Sequence, residues 1–100
     1  MANRFDIPEG RDHAIPREEL AQRWHCTVRE TRTIIARLRL ERAEDAILST
    51  SHTPPGYWRS TSPGEIATFI NEMERRARNT FLVLRGARHV LEARNGGDEP

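Results

Sequence analysis

Sixteen of the hundred residues are cationic, and every one of them is an arginine. The planar guanidinium donates two parallel hydrogen bonds, the geometry that phosphate oxygens and the O6/N7 edge of guanine accept. The arginines are clustered. Thr27 to Arg42 holds five (Arg29, Arg32, Arg37, Arg39, Arg42) against Glu30 and Glu41, and Arg75 to Val90 holds five more with no acid. The acids collect in Asp6–Glu19, Glu41–Asp45 and Asp98-Glu99, so a net charge of +1 conceals a segregated distribution able to present a basic face. A coding preference for arginine, and surface pairing of Arg29 with Glu30 and Arg37 with Glu41, would produce the same pattern without a ligand.

Covalent and metal chemistry find no comparable foothold. The four histidines (13, 25, 52, 89) lack metal-ligand spacing, and the single Cys26 cannot build a zinc site. No glycine-rich phosphate loop follows a strand, and no nucleophile turn or carboxylate pair can be assembled. The expectation is a chain without catalytic activity, metal or cofactor. A length of 100 residues with 36% hydrophobic content suits one small domain, too small to enclose a large cofactor and keep its own core. One cysteine excludes an internal disulfide framework, no apolar run approaches about 18 residues, and Met1 to Gly10 does not read as a secretory signal. A cytoplasmic protein with no membrane partner is expected.

The elements that must position the arginines follow from local signals. Residues 1–14 are polar and aperiodic and read as an extended or mobile arm. A short helix runs from Pro16 to Trp24, with Glu18 and Glu19 at the positive end of its dipole. His25-Cys26 is a break. Thr27 to Glu30 reads as a capping box, the Glu30 side chain reaching back to the cap N–H. The helix it opens carries Thr31, Ile34, Ile35 and Leu38 on one face and ends near Arg42-Ala43. Ala46–Ser51 and Tyr57–Thr61 read as strands joined by a turn at His52–Gly56. One of Tyr57 and Trp58 is expected to enter the core and the other to face out. Ser62-Pro63-Gly64-Glu65 opens a second helix that runs to about Arg94, roughly 48 Å at 1.5 Å per residue. Within it Ile66, Ile70, Met73, Ala77, Thr80, Leu84, Ala87 and Leu91 keep a 4-3 heptad spacing, with Phe69, Phe81 and Val90 beside them. The first half of this stripe is expected to pack on the chain's own core. The second half (Ala77, Phe81, Leu84, Ala87, Leu91) is expected to pair with a second copy.

Short helix, break, capped basic helix and hairpin are the order of a winged helix-turn-helix. The pieces Ala14-Ile15-Pro16-Arg17-Glu18-Glu19-Leu20-Ala21-Gln22-Arg23, Thr27-Val28-Arg29-Glu30-Thr31-Arg32, Gly56-Tyr57-Trp58 and Ser62-Pro63-Gly64-Glu65-Ile66 lie within Gly10 to Arg94, about 85 residues. That stretch resembles a family of small phage and prophage winged-helix proteins. It is similar, more distantly, to the N-terminal DNA-binding domain of biotin-operon-type repressors. The chain departs from the family in three places. His25 stands where the break usually holds glycine, Trp24 where an aliphatic residue is usual, and the first helix of the larger repressors is missing. Ile66, Phe69, Ile70 and Met73 are the residues expected to cover the side of the core left open.

The fold expected is mainly α with a small β-hairpin: arm 1–14, winged helix-turn-helix 15–61, long C-terminal helix 62–95 and tail 96–100. The second helix of such a motif enters the major groove with its N-terminal residues at base edges. On this chain those are Thr27, Val28, Arg29, Arg32 and Thr33, with Arg29 and Arg32 placed to read guanine. Arg37 and Arg39 are expected on phosphate, with Arg17 at the start of the preceding helix. His52, Thr53 and Arg59 would serve from the wing. The resemblance implies a sequence-specific double-stranded-DNA-binding regulator of phage type, acting as a homodimer on transcription, replication or excision. The alternative is the same fold turned toward protein, such as an inhibitor of a host defence (nuclease) complex working through Arg75 to Arg88.

Overall fold

The computed structural model describes residues 2–50 and 55–98, with side chains through residue 95. Among the described residues it is mainly helical with one two-stranded antiparallel hairpin. Two 3-10 turns, Arg4–Asp6 and Arg11–His13, precede α1 (Arg17–Arg23) and α2 (Val28–Leu38). The strands β1 (Ala46–Thr50) and β2 (Gly56–Ser60) follow, then α3 (Pro63–Asp98). The chain divides within α3 into two compact units, Met1–Phe69 and Ile70–Pro100.

In the first unit α1 and α2 present apolar residues at helical spacing to the hairpin. The core is built from Ile7, Ile15, Leu20, Ile35, Leu38, Ile47 and Tyr57, with Trp24 and Ile34 half-buried against it. Pro63 opens α3 where expected, and the Glu65 N–H donates to the Ser62 hydroxyl at 3.3 Å. Thr27 caps α2, accepting from the Glu30 N–H at 3.0 Å. Here the expected box is only half made. The Glu30 carboxylate accepts the Thr27 hydroxyl proton at 3.1 Å instead of the cap N–H.

The arm is neither extended nor detached but turns twice and packs on the core. Asn3 caps the first 3-10 turn, Ile7 is fully buried in the core, and Asp6 accepts the Trp24 indole N–H at 2.8 Å. The polar edge of Trp24 thus ties the arm to the end of α1. Residues 8–15 then flank the free edge of β2. Ile15 and Tyr57 exchange two backbone hydrogen bonds at 2.9 Å, and Arg59 donates to Pro8 and accepts from Gly10. Ile7 thus takes much of the place assigned to the start of α3. Ile66 and Phe69 are only half-buried, while Ile70 and Met73 are exposed.

With edges paired on both sides, β2 is buried along its whole length. Tyr57 and Trp58 alternate as expected, yet both are buried. Tyr57 enters the core, whereas Trp58 lies on the other face beside Leu48. There its indole N–H donates to Glu65 at 2.9 Å and the Arg11 guanidinium stacks 4.9 Å from the ring centroid. Gly56 makes the close approach of arm to strand possible. A Cβ there would stand 2.7 Å from the Ile15 carbonyl oxygen, and φ is +153°. Neither the backbone contact nor that dihedral tolerates a side chain. Gly56→Ala is expected to cost about 2–3 kcal/mol, read as a lowered urea midpoint at unchanged m-value.

Two helix ends differ from expectation. The second helix stops at Leu38, not Arg42, because the Leu38 carbonyl is taken by the Arg4 guanidinium (3.2 Å) and by the Glu41 N–H (3.2 Å) as the chain turns toward β1. The long helix continues through Gly96 and Gly97 to Asp98. Glycine in a helix costs about 1 kcal/mol relative to alanine but does not forbid the next turn.

Candidate nucleic-acid interface

The basic face is set by the turn before it. His25 has φ +51°, the only positive φ among the described non-glycine residues. A left-handed residue here turns the chain within the four residues between α1 and α2, so the position favours glycine. The Cys26 N–H closes the turn on the Ala21 carbonyl at 3.0 Å, and its thiol lies 3.3 Å from the Thr31 hydroxyl. His25→Gly is expected to raise stability by about 0.5–1 kcal/mol, the strain relieved exceeding the added chain entropy. Thermal unfolding at pH 7 reads it.

From that turn α2 buries Thr31, Ile35 and Leu38, at i, i+4 and i+7. On a 3.6-residue helix Arg29, Thr33 and Arg37 then point away from the buried face and Arg32 lies on its flank, about 90° round, and all four are exposed. Val28 is half-buried at the first turn, and Thr27 is exposed. Arg29 to Arg37 spans about 12 Å of helix. Among the described residues no carboxylate pairs with Arg29, Arg32 or Arg37. The Arg29–Glu30 and Arg37–Glu41 pairs that would neutralise this face are not formed. Thr33 donates its hydroxyl proton weakly to the Arg29 carbonyl at 3.4 Å. The first turn also carries Glu30, the one acid on this helix, held by Thr27. Arg17 is half-buried at the start of α1, its Nε donating to the Tyr57 hydroxyl at 3.3 Å.

Two residues expected at the interface are turned inward. Arg39 donates to the Ile47 carbonyl (3.0 Å) and the Ser49 hydroxyl (3.1 Å). Its guanidinium lies against the Tyr57 and Phe69 rings. Burial lowers its pKa from the ordinary arginine value, with Tyr57 acting the other way. Arg39 therefore clamps α2 to β1 and does not reach for phosphate. Arg59 is 9% exposed. It donates to the Ile7 carbonyl at 2.7 Å, to Asp45 at 2.7 Å and to Glu9 at 3.4 Å. It is a structural cation, not a wing contact. His52 and Thr53 lie outside the described residues.

The partner of this inward charge was not legible from spacing. Asp45 receives Arg59 and also Arg4, whose nearest approach is 2.9 Å. Arg4 adds Glu41 and the Leu38 and Asp45 carbonyls. Burial alone would raise the Asp45 pKa, but hydrogen bonds from Arg59 and Arg4 outweigh it and hold the carboxyl below its ordinary value. Two buried guanidiniums on one carboxylate lock arm, α2 end and hairpin together.

The residues assigned to pairing, Ala77, Phe81, Leu84, Ala87 and Leu91, all belong to the second unit and are all exposed. No group of His, Cys, Asp and Glu among the described residues could hold a metal ion. Among the described residues no helix is long and apolar enough to cross a membrane. No family model, curated protein or solved structure matches the chain.

Proposed function

We propose that the chain binds double-stranded DNA as a winged helix-turn-helix homodimer of phage-regulator type, with α2 as the reading helix. The observation that carries this reading is the exposed set Arg29, Arg32 and Arg37, on the part of α2 that does not face the core and without ion-pair partners among the described residues. Three further features support it. The element order is that of the motif, His25 supplies the left-handed turn, and Ile15 bridges β2 as a short first strand would. Arg29 and Arg32 would meet base edges, Thr27 and Thr33 would add polar contacts, and Val28 would touch a thymine methyl. Arg17 and Arg37 would hold phosphates on either side. Exposed cations without internal partners release DNA counterions without first breaking a protein ion pair.

The test is a fluorescence-anisotropy titration with random-sequence duplex over a range of salt. The expected result is binding whose logarithm falls linearly with the logarithm of salt, by about 0.9 for each phosphate contacted. Absence of binding at low salt overturns the proposal. Biological activity retained after Arg29 and Arg32 are both removed would assign the function to a protein target instead.

A further inference from the structure

We propose that residues 70–94 of α3 pair with the same segment of a second copy as an antiparallel coiled coil centred on residue 82. This deepens the homodimer part of the proposed function and rests on it. The starting observation is exposure. Every described side chain from Ile70 onward is exposed, including Phe81 at 62% and Val83 at 71%. A helix gains little stability from propensity alone and needs its apolar face covered.

The seam fixes the geometry. Ile70, Ala77, Leu84 and Leu91 occupy a positions, while Met73, Thr80 and Ala87 occupy d. The flanks are then Glu74, Phe81 and Arg88 at e, and Arg76, Val83 and Val90 at g. In a parallel, in-register pair each g residue meets the partner's e residue five positions on. That sets Arg76 on Phe81, Val83 on Arg88 and Val90 on Asn95, with no opposite charges and each apolar flank against a polar one. In an antiparallel pair e faces e and g faces g. Centred on residue 82, Glu74 faces the partner's Arg88 on both sides of the symmetry axis. Phe81 faces the partner's Phe81 and Val83 the partner's Val83, so the apolar flanks cover themselves at the centre, while Val90 meets the partner's Arg76. Seam layers then join Met73 to the partner's Leu91, Thr80 to the partner's Leu84, and Ala77 to the partner's Ala87, a small pair that lets the two helices approach closely. Sliding the pair by one heptad sets Phe81 against Glu74 or Arg88 and loses both ion pairs. Charge complementarity thus selects one orientation and one register. Arg75, Arg78 and Arg85 stay on the outer surface at f and b positions.

The experiment uses the full chain in a Cys26→Ser background. Phe81→Cys should oxidise to a covalent dimer, whereas Leu84→Cys should not, since residue 84 would lie opposite Thr80. A parallel pair gives the reverse. Glu74→Arg should raise the dimer dissociation constant in sedimentation equilibrium by about tenfold, as two attractive contacts become repulsive. Adding Arg88→Glu should restore it. A wild-type monomer, cross-linking through residue 84 in place of 81, or failure of the double variant to recover overturns the proposal. None of these readings involves DNA. Loss of duplex binding with this pattern intact overturns the DNA reading alone.

Discussion

Asp45→Ala is expected to lower the folding free energy by about 3–5 kcal/mol, the usual cost of removing one partner from a buried ion pair. The reason lies in what stays behind. The Arg4 and Arg59 side chains are 9% and 10% exposed. Their remaining carboxylates, Glu41 and Glu9, are 53% and 78% exposed and so screened by water. Without Asp45 two guanidiniums share a buried site with little to oppose their repulsion. Against a typical total of about 5–15 kcal/mol, that loss removes between a fifth and all of the stability. Asp45→Asn is the informative partner variant, because it keeps the volume and removes only the charge. The native carboxyl has a depressed pKa. Its stabilisation is therefore complete above the unfolded value near 3.9 and fades as pH falls through the folded value. The gap between wild type and Asp45→Asn should be widest near neutral pH and close as the wild-type carboxyl protonates. Urea unfolding at several pH values measures this. A gap that stays constant from pH 7 to pH 2, or one under about 1 kcal/mol, refutes the network as a source of stability.

The same network shows which parts of the fold could be read from the sequence. Helix starts at Thr27 and Pro63 and the strained turn at His25 were legible because each is decided by neighbours within four residues. The hairpin was legible for the same reason. Arg59 and Arg39 were not. Along the sequence each is an arginine beside a candidate contact surface, and nothing local distinguishes a phosphate ligand from a buried clamp. Their roles depend on Asp45, Ile7 and Ser49, between 10 and 52 residues away. The arm was misread likewise. Its one aliphatic anchor, Ile7, has no periodic companions, so no pattern announces that it fills the core. Trp58 was half legible. Alternation put Tyr57 and Trp58 on opposite faces without saying which enters the core, and the outer face is itself covered, by Arg11 and Glu65. For the interface, the helix face could be derived from periodicity alone. Which of its arginines remain unpaired needed coordinates.

That distinction determines what removing them should do. Arg29 and Arg32 are exposed, lack ion-pair partners among the described residues and hold no cap. Arg29→Ala with Arg32→Ala should therefore leave stability within about 0.5 kcal/mol of wild type. On DNA the effect should be large. Each arginine bridging a guanine contributes about 1–3 kcal/mol of discrimination. The double variant should thus lose preference for its best site by on the order of a hundredfold. Binding to random duplex should fall much less. Arg37 lies two turns further along the helix, where phosphate is the nearer target. Arg37→Ala should weaken all sequences alike and reduce the salt slope by about 1. Selection from a randomised duplex library with wild-type protein supplies the preferred site, and competitive anisotropy compares the variants on it. The contrast between the two changes is the decisive reading, since general loss of positive charge would lower affinity without changing site preference in either. Equal loss of site preference from Arg37→Ala and from the Arg29/Arg32 double variant would mean that Arg37 reads bases as well and is not a phosphate contact. Unchanged preference in the double variant would remove this helix from base recognition.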